Sequence, residues 1–217
     1  MRLHLKLSAS QVIIPYNYTE KITSRLHQWL GENNCLHDAI SLYSFSSIKG
    51  TDMIPKKGYV LQQTGHLFIS VYELEVAKKL ISAIQQDPEL FCGMQVTEMS
   101  LQEPPQFTTD QVTFKVASPV FIKKDKQHYT FNHPEANQYL TQTLHTKLRK
   151  AGLSTEGCSV AFNTSYPGKK TKLIKHKKFS NQCSICPVTI TGSSEQIAFA
   201  WSVGVGNSTG IGFGSLC

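Results

Sequence analysis

The chain has 217 residues and a net charge of +7 that is unevenly distributed, because residues 109–217 contain 13 Lys and Arg against 5 Asp and Glu, while residues 1–108 contain 9 against 10. A strongly basic half favours a polyanionic partner, either nucleic acid or an anionic membrane face. No apolar run approaches the roughly 20 residues that cross a bilayer, and the first residues lack a signal-peptide core. We therefore expect a cytoplasmic, soluble protein that binds nucleic acid and no membrane.

The first half of the sequence predicts the element order βαββαβ. Apolar and polar residues alternate over 3–7, as in a half-buried strand, and the runs 42–47, 67–71 and 94–101 are also predicted as strands. Apolar residues at helical spacing predict one helix over 22–30, which Gly31 ends, and another over 76–84. This order is that of a ferredoxin-like unit. Pro104 and Pro105 then indicate a boundary, so we predict domains at 1–103 and 110–217.

The second half contains one clear helix and several strands. Leu140, Leu144 and Leu148 recur every four residues after Pro134 and predict that helix. A basic turn at 123–126 predicts a hairpin, and strand-like runs cover 112–116, 120–122, 159–163, 171–176, 188–191 and 196–203. We expect a second ferredoxin-like unit whose later helix is reduced or replaced by a hairpin. The predicted fold class is therefore α+β, with two tandem ferredoxin-like (RRM-like) domains.

The chain ends in a glycine-rich segment, residues 204–217, which contains five glycines. Glycine reaches positive φ without steric cost, so several backbone N–H groups of such a segment can converge on one anion. The alternative interpretation is a glycine-rich turn before a last strand. The segment is not a dinucleotide-binding fingerprint, because no helix follows its glycines to hold a pyrophosphate. It is not a P-loop either, because no Gly-Lys-Ser/Thr follows the glycines.

Six cysteines are scattered through the sequence, and Cys183-x-x-Cys186 is the pair with metal-ligand or redox spacing. A structural zinc site would need a second pair, and His176 is the nearest other ligand in the sequence. In a reducing compartment such cysteines are mostly small buried apolar residues. We therefore expect neither a metal site nor a cofactor.

Three ordered motifs resemble those of one family. They are the tail 204–214 with its Gly-x-Gly, polar insert and Gly-Phe-Gly; Leu36-His37-Asp38 followed by the aromatic run 42–46; and the segment 117–120 leading through a basic hairpin to a helix. Together they resemble the CRISPR-associated endoribonucleases that cut precursor CRISPR RNA within its repeats, the sixth-numbered Cas protein family. The resemblance implies two ferredoxin-like domains in tandem with a C-terminal glycine-rich loop.

The resemblance also implies a catalytic pair of residues. The family's catalytic histidine corresponds to His37, and its second catalytic position corresponds by helical register to His27. Some members have a lysine where this chain has Ser41, so Lys49 or Arg25 would have to supply the positive charge. Ser44 or Ser46 could donate a hydrogen bond to the phosphate. In metal-free RNA cleavage near neutral pH, one histidine can remove the 2′-hydroxyl proton and the other can protonate the leaving 5′-oxygen. The product then carries a 2′,3′-cyclic phosphate.

The basic half is expected to hold the RNA through its phosphates. The predicted RNA-binding residues belong to the basic turn, to a lysine-rich run and to the tail: Lys123, Lys124, Lys126, Lys169, Lys170, Lys172, Lys175, Lys177, Lys178, Gly204, Gly206, Asn207, Ser208, Gly210 and Gly212. The expected partner is CRISPR repeat RNA, with a homodimer and a CRISPR effector complex left open. The alternative function is a non-catalytic subunit that binds guide RNA, and a membrane-surface protein ranks last.

Overall fold

A computed structural model describes residues 1–31, 40–176 and 179–217. Within them it contains thirteen strands, four α-helices and one 3-10 turn at Thr209–Ile211. The strands are β1 Arg2–Leu7, β2 Tyr43–Phe45, β3 Asp52–Ile54, β4 Gly58–Val60, β5 Gly65–Val71, β6 Val96–Gln102, β7 Gln111–Phe114, β8 Val120–Lys124, β9 Gln127–Tyr129, β10 Ser159–Phe162, β11 Lys170–His176, β12 Phe179–Ile185 and β13 Val188–Thr191. The helices are α1 Thr19–Leu30, α2 Leu74–Gln86, α3 Ala136–Lys150 and α4 Ser194–Val203.

The elements up to β6 form a ferredoxin-like unit, as the sequence predicts. Its antiparallel sheet has the order β2-β5-β1-β6. Leu3, Leu5 and Leu7 of β1 pack against the buried stripes of α1 and α2, so both helices cover one face of the sheet. Gly31, at φ 83°, ends α1. The hairpin of β3 and β4 is an addition that the sequence pattern did not indicate.

The elements from β7 onward form the second ferredoxin-like unit. Its sheet has the order β10-β13-β7, and α3 and α4 share a core with it. The chain end contributes only an isolated bridge between Val116 and Leu216. The tandem ferredoxin-like architecture that was predicted is therefore confirmed.

One element was predicted wrongly: residues 196–203 form α4 and not a strand, so the later helix of the second unit is present. Ser193 caps this helix, since Ser193 Oγ accepts from Gln196 N at 3.2 Å and Gln196 Oε1 accepts from Ser193 N at 2.8 Å. Seven of its ten residues are buried because α4 lies between the second core and the first sheet. A helix that is buried on all sides has no amphipathic period for a sequence pattern to reveal.

The basic segments of the second half lie in one four-stranded sheet with the order β11-β12-β8-β9. The turn between β8 and β9 places Asp125 and Lys126 at positive φ, which confirms the predicted hairpin. Strand β12, which the sequence pattern missed, pairs with both β11 and β8. Because β11 pairs on one side only, it is an edge of this sheet.

The two units meet through the open face of the first sheet. Arg2 is buried there, and its guanidinium lies 3.9 Å from the ring centre of Phe68 and 3.8 Å from that of Trp201. It also donates to Ser70 Oγ at 2.7 Å and to Leu216 O at 2.7 Å. Burial lowers the pKa of Arg2 to about 10, so the side chain remains charged at neutral pH and joins both units. Among the described helices, none is long and apolar enough to span a membrane.

Candidate active site and RNA interface

The glycine-rich tail, residues 204–217, is largely buried between the two units. An alanine Cβ at Gly206 would come within 2.5 Å of Phe121 O, and one at Gly204 within 2.6 Å of Gly214 O. Gly212, at φ 97°, would bring a Cβ within 2.9 Å of Thr19 Cγ2. The glycines therefore permit the close passage of the tail between α1, β2 and β8.

The backbone N–H groups of the tail donate mainly within the protein. Val205 N donates to Gly214 O at 2.9 Å, Asn207 N to Phe121 O at 2.8 Å and Gly214 N to Pro119 O at 2.9 Å. These three N–H groups are therefore satisfied inside the protein. Gly204, Gly206, Gly210 and Gly212 are buried, whereas Asn207 is half-buried and Ser208 is exposed. The tail thus presents Asn207 and Ser208 at the surface.

His27 lies in the last turn of α1 and is half-buried. Thr19, Thr23 and His27 follow one another at intervals of four residues along one flank of α1. The first of them, Thr19, packs against Gly212. At 1.5 Å per residue, His27 lies about 12 Å along the helix axis from Thr19. His27 is therefore on the flank of α1 that begins at the tail, while Arg25 is on another flank.

His37 lies outside the described residues, and the chain re-enters the described part at Ile40. Ile40 O accepts from Lys150 Nζ of α3 at 3.1 Å. An alanine Cβ at Gly210 would come within 2.5 Å of Ser41 Oγ, and Tyr43 OH donates to Gly210 O at 3.0 Å. Ile40, Ser41 and Tyr43 are therefore held between α3 and the 3-10 turn of the tail.

A cavity of about 370 Å³ opens at this place. Its lining residues include Ser41, Thr143, Thr146, Lys147, Ser208 and Thr209. Thr143 and Thr146 donate to the helix carbonyls Leu140 O at 2.8 Å and Gln142 O at 2.9 Å, and a serine hydroxyl can donate to a phosphate oxygen. The cavity lies between the tail, α3 and the segment that begins at Ile40.

Lys147 is the buried cation beside this cavity, with 4% of its surface exposed. Its Nζ donates to Val203 O at 3.2 Å, Gly204 O at 3.2 Å and Thr209 Oγ1 at 3.0 Å. Burial lowers the pKa of Lys147 to about 7. The Thr209 hydroxyl can accept from an ammonium or donate to a neutral amine, so Lys147 can hold the start of the tail in both protonation states.

We expect the stability of the protein to rise with pH above neutrality because of Lys147. In the unfolded chain a lysine titrates near 10.4, whereas Lys147 titrates near 7 in the fold, so between these values the unfolded chain binds the additional proton. One pKa unit corresponds to about 1.4 kcal/mol, so the rise amounts to a few kcal/mol. Urea unfolding of the wild type and of Lys147→Met between pH 6.5 and 10 measures it. The difference in stability between the wild type and Lys147→Met should grow with pH across this range, and parallel curves would contradict this assignment.

The other predicted active-site residues lie apart from His27 or have structural partners. Ser44 is fully buried, with its Oγ 3.3 Å from Ser202 O and 3.1 Å from Ser215 Oγ. Ser46 is also buried and accepts from Phe68 N at 3.0 Å. Arg25 pairs with Asp87 at 2.6 Å. Lys49 is exposed and bridges His66 through its backbone. Ser44 therefore joins the two units, and its hydroxyl is not open to a phosphate.

Most predicted RNA-binding lysines lie in the basic sheet. By strand register, Lys170 and Lys172 share a face with Lys123, while Lys124 and Lys175 lie on the other face. Lys126 lies in the hairpin turn, and Lys169 precedes β11. Asn207 Oδ1 accepts from Lys123 N at 2.8 Å, which connects this sheet to the tail. Lys177 and Lys178 lie outside the described residues.

The two cysteines of Cys183-x-x-Cys186 are buried and their thiols approach different carbonyls, Asn181 O and Asn163 O, each at 3.4 Å. Burial raises the pKa of Cys183 to about 12, which disfavours the thiolate that a metal would need. Within residues 1–31, 40–176 and 179–217, no group of three or more His, Cys, Asp or Glu is gathered for a metal ion.

Lys147 and Lys150 were missed by the sequence reasoning. Both are on α3, more than a hundred residues from Ser41, so no local motif connects them with that position. One signal was available: Lys147 lies on the stripe of Leu140, Leu144 and Leu148, and a lysine on an apolar stripe is expected to have a buried partner.

Comparisons with known proteins agree with this fold. No curated protein matches the sequence. The structure of a Cas6-related gene product from Pyrococcus furiosus superposes with a TM-score of 0.85 at 21% identity, covering 100% of this chain and 97% of that one. A RAMP protein described as binding different RNA substrates gives 0.84 at 18% identity, covering 100% and 98%. Thermus thermophilus Cas6 gives 0.60 at 13% identity, covering 100% and 97%.

A family model adds a match to the sequence itself. The model of CRISPR associated protein Cas6, C-terminal, matches residues 101–216, which is more than half of the chain. The matched part contains the basic sheet, α3 with Lys147, and the tail. The chain belongs to the Cas6 family of CRISPR-associated proteins.

Proposed function

We propose that the protein is a metal-independent endoribonuclease that cleaves CRISPR repeat RNA within precursor transcripts and so releases guide RNAs. Membership of the Cas6 family supports a role in CRISPR RNA processing. Solved Cas6 structures that share this fold include a product complex and a substrate-mimic complex. We propose both that this chain binds the repeat RNA and that it cleaves it.

One observation carries the proposal. The 3-10 turn of the tail lies against α1, which bears His27, and against the start of β2, which the chain reaches soon after His37. The cavity with its hydroxyls and Lys147 lies at the same turn. A phosphodiester bound at that turn would lie beside α1, which bears His27, and beside Ser41, which Lys150 of α3 approaches through Ile40.

The proposed reaction needs two proton transfers and no water. One imidazole removes the 2′-hydroxyl proton, and O2′ attacks the adjacent phosphorus. The bond from phosphorus to O5′ then breaks, and the other histidine, as imidazolium, gives its proton to O5′. The products are a 2′,3′-cyclic phosphate and a 5′-hydroxyl. Which of His27 and His37 is the base is open in this scheme.

The growing charge on the phosphate needs a cation, and Lys150 is the residue we propose for it beside the predicted Lys49. Lys150 is bonded to Ile40, three residues after His37 in the chain. It takes the place of the lysine that some family members have at the position of Ser41.

Incubation of the protein with repeat RNA in excess EDTA tests this function. We expect cleavage at one site in each repeat, because histidine acid–base catalysis needs no metal ion. RNA that is bound but stays intact at every protein concentration would contradict the nuclease and leave the alternative, a subunit that only holds guide RNA.

A further inference from the structure

A second, larger cavity lies at the other end of the tail and is separate from the proposed active site. It has a volume of about 660 Å³, within the range of ligand sites. Gly212 and Phe213 of the tail form part of its wall, together with the N-terminal end of α1, β4 and the edge strand β11. We propose that this cavity binds one unpaired nucleobase of the RNA, an inference that rests on the proposed RNA-binding role.

Three tyrosines give the cavity a preformed aromatic wall. The ring of Tyr59 meets Tyr16 edge to face at 5.3 Å and Tyr18 at 5.9 Å. Tyr16 OH donates to Ile54 O at 2.9 Å, and the hydroxyl oxygen of Tyr18 accepts from Ile48 N at 3.2 Å. These bonds hold the rings in place before any ligand arrives, so binding would cost little side-chain entropy. Every nucleobase has a π-face that can stack on such rings.

The charge of the cavity fits a nucleotide rather than an apolar ligand. Lys57, Lys172 and Lys175 line it and are exposed, and none of its described lining residues is acidic. Lysines at the mouth of an aromatic cavity are placed for the phosphates on either side of a bound base.

The edge strand β11 supplies the remaining wall. Within the described part of the chain β11 pairs only with β12, so the outer side of residues 172–175 has no strand partner there. The backbone groups of a strand edge include N–H donors and C=O acceptors, and the edge of a nucleobase presents donors and acceptors that can pair with them. Leu173 of β11 also lines the cavity, with 68% of its surface exposed, and it can cover an apolar base face. A base here would contact rings, an aliphatic side chain and the backbone edge of β11.

The two cavities lie at opposite ends of one stretch of the tail, since residues 206–209 line the smaller one and residues 212–213 the larger one. His27 is about 12 Å along α1 from Thr19, which lines the larger cavity. An RNA strand that spans the two cavities would therefore place a base in the larger cavity close in sequence to the phosphate at the proposed active site. This base would fix the register of cleavage.

A thermodynamic cycle tests the base-binding cavity. The probe is a single-stranded repeat RNA with 2′-fluoro sugars, which cannot be cleaved by 2′-hydroxyl attack, and its bases are removed one at a time. Each RNA is titrated into the wild type and into Tyr16→Leu. At one position, removal of the base should weaken binding to the wild type about tenfold and to Tyr16→Leu less than twofold, because stacking contributes about 1–3 kcal/mol per base.

Tyr166→Leu is the matched control, since Tyr166 is 40% exposed, as against 47% for Tyr16, and does not line the cavity. Leu173→Ala, at a largely exposed position, is the second variant and should show the same coupling if Tyr16→Leu is poorly folded. Equal costs of base removal in all proteins, or coupling to Tyr166 instead, would overturn the proposal. Because the probe is not cleavable, coupling to Tyr16 without nuclease activity on ordinary RNA would refute the proposed enzyme alone.

Discussion

Replacement of His37 or His27 by alanine is expected to lower the rate of repeat-RNA cleavage by about 10²- to 10⁴-fold, the typical contribution of one general acid or base. RNA affinity should stay within about threefold of the wild type, because the basic sheet and the tail are unchanged. Single-turnover cleavage in EDTA, with saturating protein, separates the chemical step from binding.

His4→Ala is the matched control for these two variants. His4 is half-buried and bonded to Gln102, and by strand alternation it lies on the face of the first sheet opposite to α1. The His4→Ala variant should cleave repeat RNA at the wild-type rate. The double variant should lose less than the product of the two single losses, because residues that act as one unit are not additive. Wild-type cleavage by His37→Ala with RNA binding kept would refute the assignment.

Gly214→Ala is expected to destabilise the protein more than a Gly→Ala substitution at any other glycine of the tail. Gly214 has φ 62°, and an alanine Cβ there would overlap Val205 O, a backbone atom that cannot rotate away. Left-handed backbone costs alanine about 1–2 kcal/mol, and overpacking adds about 1–3 kcal/mol. At about 2–4 °C per kcal/mol for a chain of this size, Tm should fall by roughly 5–15 °C.

Gly152→Ala isolates the contribution of the overlap. Gly152 has a similar φ of 74°, but an added Cβ would meet no atom within 4 Å. This variant should show only the backbone cost, about 1–2 kcal/mol. Calorimetry of both variants gives the difference, and cleavage assays should show that Gly214→Ala also loses activity below its Tm. Equal Tm values would mean that the tail relaxes freely and is not held by its close packing.

The parts of the fold that alternate or repeat in sequence could be predicted, and the parts fixed by long-range burial could not. Leu3, Leu5 and Leu7 indicated β1, and Leu140, Leu144 and Leu148 indicated α3, because each of these elements has one buried face. Helix α4 was mistaken for a strand because both of its sides are covered, one by its own core and one by the first sheet.

The site was predictable only where a motif carries it. The tail and the lysines of β11 could be found from the sequence, but the tail's glycines turned out to be buried packing positions. Lys147 and Lys150 reach the tail and Ile40 from a helix far along the chain. Tyr16, Tyr59 and Leu173 likewise meet only after folding brings the edge of β11 to α1. The pairing of such residues depends on tertiary contacts, which carry no local signal.

The most direct measurement of the central claim uses repeat RNA with a single 2′-deoxy sugar on the 5′ side of the cleaved bond, incubated with the wild-type protein in excess EDTA. All-ribose RNA should be cut to give a 2′,3′-cyclic phosphate and a 5′-hydroxyl, and the 2′-deoxy RNA should be bound but remain intact, because its nucleophile is missing. Cleavage of the 2′-deoxy RNA, or a product with a 3′-hydroxyl end, would contradict catalysis by 2′-hydroxyl attack between two histidines.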